Sequence, residues 1–191
     1  MKPTSHASRR FRRLAALLAG CALLAAPSSV TGETAADPAY KQKIESWQKE
    51  LVDDLKKEDG WLTLVGLFWL EEGENRFGSD PGTNKVIFPE GKAPAVAGVL
   101  IREGKKVRVR AAPGAGLTSA GKPVTELVLN VDAGGKPTVL ELGTLSFFVI
   151  ERGDRIGVRI KDKASPVLAS FHGLDFYPIR PEWRIDARFE P

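Results

Sequence analysis

Leu145-Ser146-Phe147-Phe148-Val149-Ile150-Glu151-Arg152-Gly153-Asp154-Arg155-Ile156-Gly157-Val158-Arg159-Ile160-Lys161 decides the fold. Two runs rich in β-branched and aromatic residues flank Gly153-Asp154, where glycine supplies the positive φ that a primed two-residue hairpin turn demands. In the second run Ile156, Val158 and Ile160 face one way, and Arg155, Gly157, Arg159 and Lys161 the other. The turn reading also accounts for the tripeptide Arg152-Gly153-Asp154, which serves adhesion in other settings.

Working outward, the same texture of short β-type segments punctuated by Gly, Pro, Asp and Asn extends from Gly60 to the C-terminus. Strands are expected near Leu62–Leu70, Val86–Phe88, Gly98–Arg102, Lys106–Ala111, Glu126–Asn130, Thr138–Leu142, Leu145–Glu151, Arg155–Lys161 and Trp183–Phe189. A second hairpin turn is expected at Gly134-Gly135. Many short strands with close turn spacing point to a mainly β fold, a small sandwich or partly open barrel. Before them, Asp37-Pro38 opens a helix, and Tyr40, Ile44, Trp47, Leu51 and Leu55 make one apolar stripe that ends at Gly60. Residues 37–60 are therefore read as an N-terminal amphipathic helix packed on a β-rich domain of residues 61–191.

Residues 1–36 read as an export signal. Arg9 to Arg13 form a basic region and Leu14 to Ala26 an apolar core too short for the 20 or so residues of a membrane span. Cleavage is expected near Gly32 or Ala36. Leu18-Ala19-Gly20-Cys21 also fits the lipobox of bacterial lipoproteins, so lipidation at Cys21 is the alternative route, and with it a membrane anchor. The expected location is the periplasm or cell envelope.

The chain carries 28 Lys and Arg against 24 Asp and Glu. Removing residues 1–36 takes away five of the basic residues and one acidic residue, which leaves 23 of each sign. A neutral mature chain has no electrostatic case for nucleic acid. The same cut removes the single cysteine and His6, leaving His172 as the last imidazole. Disulfides, thiol nucleophiles and multi-histidine metal sites are excluded by that inventory, and no cofactor is expected.

The cationic face of Arg155–Lys161 is the candidate anion-binding site. Gly157 leaves a gap in the row, and a groove with that floor would hold a carboxylate or phosphate between Arg155, Arg159 and Lys161, with Arg152, His172 and Arg184 as contributors. The bland alternative is a solvated sheet face whose cations pair with neighbouring acids, as expected for the similar row Lys106, Arg108 and Arg110. Ser170, His172 and Asp175 are the right types for a hydrolase, yet neighbours on one short loop seldom meet as a triad, and no G-x-S-x-G elbow is present. Glu71, Glu72 and Glu74 beside Gly73 read as a charged turn. Trp61, Phe68 and Trp69 are expected in the core, with a carbohydrate- or lipid-facing patch as the alternative.

Gly60 to Leu70, Gly73 to Asp80, Arg152 through Arg159, Lys161-Asp162, Ser165-Pro166, Phe171, Gly173, Pro178, Trp183 and Arg184 together resemble the bacterial family known as domain of unknown function 1684. The resemblance runs from about Ser46 to Pro191 and implies no activity. It implies a further β-rich portion with a Cys-Pro-rich end, so a natural short form and a truncated chain without independent role are both open. Gly78-Ser79-Asp80 with Asn84 to Pro89 is also similar to the start of a forkhead-associated β-sandwich. Ser79 stands where that family places arginine, and the later Ser and His pattern is missing, so the likeness implies fold without phosphopeptide recognition. The leading expectation is a non-catalytic binding or interaction domain for a small anionic ligand or an envelope protein. A hydrolase acting on a small anionic substrate is the alternative.

Overall fold

The computed structural model describes residues 37–190. The export segment and Cys21 lie outside the described residues. Helix α1 (Pro38–Lys56) starts as its sequence demands: the Asp37 carboxylate accepts the Ala39 N–H at 3.1 Å, and proline occupies the first turn, where its missing donor costs nothing. Eleven strands follow: β1 (Leu64–Trp69), β2 (Gly73–Gly78), β3 (Val86–Ile87), β4 (Gly98–Glu103), β5 (Lys106–Ala111), β6 (Thr118–Ser119), β7 (Lys122–Pro123), β8 (Glu126–Leu129), β9 (Leu140–Leu142), β10 (Leu145–Arg152) and β11 (Arg155–Asp162). A short helix α2 (Pro166–Ala169) follows them.

The strands form two sheets, β1-β11-β10-β9-β6-β7 and β3-β2-β4-β5-β8. Neighbours are antiparallel except for β2 and β3, which are parallel. One core joins the sheets, as a sandwich requires. Phe77 from β2, Phe88 just beyond β3 and Phe147 from β10 meet at its centre, with ring centroids 5.0–5.5 Å apart. Leu100, Val107 and Val109 from one sheet and Leu140, Val149, Ile156, Val158 and Ile160 from the other surround them, all buried. The expected mainly β architecture with one N-terminal helix is the observed one.

The hairpin at Gly153-Asp154 joins β10 to β11 through the pair Arg152–Arg155, with Gly153 at φ +61°. Four expectations fare differently. Glu71 to Glu74 is the entry to β2, a strand whose first inward residue is Asn75, with the apolar Phe77 following it. Asn75 is fully buried because its amide holds the β1–β2 connection: Oδ1 accepts the Glu71 N–H at 2.9 Å, and Nδ2 donates to Glu71 O and Gly73 O at 2.8 and 3.0 Å. A satisfied buried amide hides the apolar alternation that marks a strand.

Gly134-Gly135 is no hairpin, because β8 and β9 belong to different sheets. A 3-10 turn at Asp132–Gly134 carries the chain between them. Trp183–Phe189 forms no strand. A 3-10 turn covers Pro181–Trp183, and Ile185 and Phe189 stand 87% and 88% exposed. Their alternation has the right period, but a strand also needs an edge to bond, and this segment takes none.

Helix α1 buries less of its stripe than the periodicity predicts. Tyr40, Ile44, Leu51 and Leu55 are half-buried, Trp47 is 54% exposed, and no residue of the helix is fully buried. Its C-terminal end meets the 3-10 turn Trp61–Thr63 that leads into β1, and Lys56 lies over the Phe171 ring at 5.7 Å. Among the described residues, no helix is long and apolar enough to cross a membrane.

Candidate functional site

Three residues of the expected groove, Arg155, Arg159 and Lys161, lie together on the outer face of β11. The apolar residues of that strand face the core, so the period of two sends these cations outward. Their floor differs from the expectation. Trp69 on β1 is the register partner of Gly157, and its indole occupies the gap: a Cβ at Gly157 would stand 2.8 Å from Trp69 Cε3. The Arg155 guanidinium then lies over that indole, 3.7 Å from the ring centroid. Gly157 is therefore a seat for tryptophan, and the ring is in turn a seat for arginine.

The pattern repeats along the strand. Arg159 lies 5.4 Å from the Trp61 centroid and Lys161 5.9 Å from that of Phe148. Trp61 and Trp69 are 67% and 37% exposed, so neither belongs to the core. Of the three aromatic residues expected there, Phe68 alone packs against it. A cleft of about 120 Å³ opens between Trp61, Leu64, Arg159 and Lys161. Arg159 Nε is buried there without a hydrogen-bond partner, and the Lys161 ammonium donates to Asp59 O.

Of the remaining candidates, Arg152 lies directly across from Arg155 at the end of the row, and Arg184 and His172 lie in the irregular segment after α2. Arg152 ends β10 and pairs with Asp132, with Nη2 2.8 Å from Oδ2. Burial would raise the Asp132 carboxyl, but the hydrogen bonds from Arg152 and from the Glu151 N–H outweigh it and hold it below its ordinary range. Arg184 is bound to Asp186 at 2.9 Å. His172 is exposed in the irregular segment after α2, and Ser170 Oγ donates to Val167 O at 3.4 Å. Glu71 pairs with Lys85, Glu72 Oε1 accepts the Gly104 N–H at 2.9 Å, and Glu74 lies 4.0 Å from Arg110. These acids tie strands together.

The two basic rows of the sequence part company here. On β5, Arg108 lies 3.3 Å from Glu126 and 3.5 Å from Glu103, while Arg110 reaches Glu126 and Glu74 at 3.9 and 4.0 Å. The two arginines of that row are thus paired with carboxylates, as expected of plain surface. On β11, Arg155, Arg159 and Lys161 form no ion pair with any described carboxylate; aromatic faces take their place. A guanidinium stacked by its face keeps its in-plane N–H donors for another group, which is the geometry that receives a carboxylate or phosphate in bidentate fashion. The aromatic partners Trp61, Trp69 and Phe148 are what the sequence reading of the site missed. A glycine directly across from an edge-strand tryptophan was the available signal, and it needed the β1–β11 register.

Gly157→Ala tests this seat. The new Cβ displaces the Trp69 indole, and Arg155 loses its platform. The expected cost is about 1–3 kcal/mol, with loss of the ring-current shift on the Arg155 side-chain protons in NMR spectra. An unchanged Arg155 spectrum would show that Trp69 does not depend on the missing Cβ.

No family model matches the chain, and no curated protein matches it. Among solved structures it is similar to an FHA domain studied for phosphothreonine-dependent interactions, at 22% identity and TM-score 0.35 over 50% of this chain and 95% of that one. It is also similar to the FhaA FHA domain complexed with the intracellular domain of Rv3910, at 21% identity and TM-score 0.35 over 49% and 97% of the two chains. A third, the Rv0020c FHA structure, gives 20% identity and TM-score 0.34 over 51% and 92%.

Proposed function

We propose that the protein is an exported, non-catalytic binding module of the bacterial envelope that recognises an anionic group on the outer face of β1 and β11. The observation that carries this reading is the contrast between the two basic rows. Both have the composition of a solvated sheet face, yet in one Arg108 and Arg110 are paired with Glu103, Glu74 and Glu126, while in the other the cations lie over Trp61, Trp69 and Phe148 and form no ion pair with a described carboxylate, Asp132 acting on Arg159 only from beyond contact. Contact with the Trp69 ring at 3.7 Å restrains the Arg155 side chain before a ligand arrives, so less side-chain entropy remains to be lost on binding. Trp61 and Trp69 lie beside those cations, and changes around them report on the site through tryptophan emission.

Calorimetric and tryptophan-fluorescence titrations with citrate, pyrophosphate and polygalacturonate test the reading. Arg155→Ala and Arg159→Ala are each expected to weaken the binding probe by about tenfold or more, the loss of a charge-assisted hydrogen bond. Arg108→Ala, whose guanidinium is paired with Glu126 and Glu103 on β5, is expected to leave the affinity unchanged. Equal losses from Arg108→Ala, or no response to any of the three probes, would refute an anion site on β11.

A further inference from the structure

β1 is the outermost strand of its sheet, and among the described residues no strand pairs with its second side. The Leu70 N–H donates to Ile156 O. In an antiparallel ladder that bond fixes the alternation: Phe68 and Gly66 bond toward β11, while the amides and carbonyls of Leu67 and Trp69 point away from it. From Gly60 to Leu70 there is neither a charged residue nor a proline, the usual means of blunting an edge. A register shift between Leu64 and Gly66 leaves the stretch Gly66–Trp69 in regular pairing.

A second observation concerns the space beside that edge. β3 ends the opposing sheet. Val65 and Phe68 share with Ile87, Phe88 and Pro89 an open groove of about 850 Å³, in which Glu90 is the charged residue. A free backbone edge and an apolar groove thus lie together. The third observation is electrostatic: Arg155 reaches across from β11 to the Trp69 ring and meets no described carboxylate.

We infer that β1 receives an added strand from a partner protein, an extended segment in which apolar and acidic side chains alternate. Its backbone bonds to the outward groups of Leu67 and Trp69. Its apolar side chains enter the groove against Val65, Phe68 and Ile87. Because strand side chains alternate, its acidic residues fall on the other face, beside Trp69 and Arg155. Charge complementarity decides against a second copy of this chain. The copy's own Leu64–Trp69 is uncharged and would leave Arg155 without a counter-charge. The acidic character of the partner rests on the anion reading above; the strand addition rests on the edge and the groove.

The test uses the purified protein and a synthetic peptide of alternating valine and glutamate. Hydrogen exchange at the Leu67 and Trp69 amides is expected to slow by about tenfold or more on saturation, since both exchange freely at an unpaired edge. A peptide of the same composition in two blocks, and an alternating peptide N-methylated on one edge, are expected to bind about tenfold more weakly or worse. Leu67→Pro removes an N–H that bonds nothing in β11, so the ladder is kept while the incoming strand loses a donor. Should that variant fail to fold, the N-methylated peptide makes the same test on the intact protein.

Unchanged exchange at Leu67 and Trp69 overturns the inference. If citrate or pyrophosphate still binds in an Arg155-dependent way, the anion site stands without strand addition. Equal protection by a valine–lysine peptide overturns the acidic partner. Protection of the two amides that grows with protein concentration and needs no peptide overturns it in favour of a second copy.

Discussion

Replacing Phe147 with alanine is expected to cost about 3–5 kcal/mol, while the same change at its neighbour Phe148 costs about 1 kcal/mol. Phe147 is 1% exposed and touches Phe77 and Phe88, one from the opposing sheet and one from the loop beyond its edge. Truncation opens a cavity where the two layers meet, and the two remaining rings, Phe77 on β2 and Phe88 just beyond β3, are held by the opposing layer and cannot close over it. A single domain of this size has about 5–15 kcal/mol of stability in total, so the variant sits near the limit of folding. Phe148 differs by one residue and therefore by one face. It is half-buried on the outside of the sheet beside Lys161, and its loss removes a cation–aromatic contact and leaves the core intact. Urea unfolding of both variants measures the difference. Comparable costs would mean that the register of β10 is not the one described.

The second large effect concerns Asp162, the last residue of β11, which is 1% exposed. Burial would raise its carboxyl, but hydrogen bonds from the Thr144 side chain and the Ala164 N–H and the nearby Lys92 ammonium outweigh burial. They hold it below its ordinary value near 3.8. The Ala164 bond is 2.9 Å and the Lys92 ammonium lies at 3.4 Å.

A carboxyl whose folded pKa lies below its unfolded one adds stability that is fully present above the unfolded value. That stability is lost as the pH falls through the folded value. Asp132, depressed in the same direction by Arg152, acts alike. Urea midpoints are therefore expected to be flat from neutrality to about pH 5 and to fall below about pH 4, by up to about 1.4 kcal/mol per pH unit for each proton taken up. Asp162→Asn is expected to cost about 2–3 kcal/mol near neutrality and to make the acid limb shallower. An acid limb as steep in the variant as in the parent protein would assign the dependence to other carboxyls.

Several elements are legible in the amino-acid sequence because their signals are local. The cap at Asp37-Pro38, the turn at Gly153-Asp154 and the alternation of β11 each lie within a few residues, and each stands where its pattern places it. β2 escapes such a reading because Asn75 stands where the pattern calls for an apolar residue, and only the connection it ties explains why a polar group is buried there. Ile185, Ala187 and Phe189 err in the opposite direction. They carry the period of a strand and have no partner strand among the described residues, since alternation records which face would be buried and says nothing about who supplies the neighbouring edge.

The site follows the same division. The sequence by itself determined that β11 presents Arg155, Arg159 and Lys161 on one face, because a strand has no other way to place alternate residues. It could not distinguish that row from Lys106, Arg108 and Arg110, which has the same composition and the same period. Tertiary structure decided the matter by choosing neighbours. Sheet order put Glu126 and Glu74 within reach of one row, and put Trp61, Trp69 and Phe148 beneath the other. Charge and side-chain direction are properties of a residue and its strand, whereas compensation of that charge depends on contacts between residues far apart in the chain.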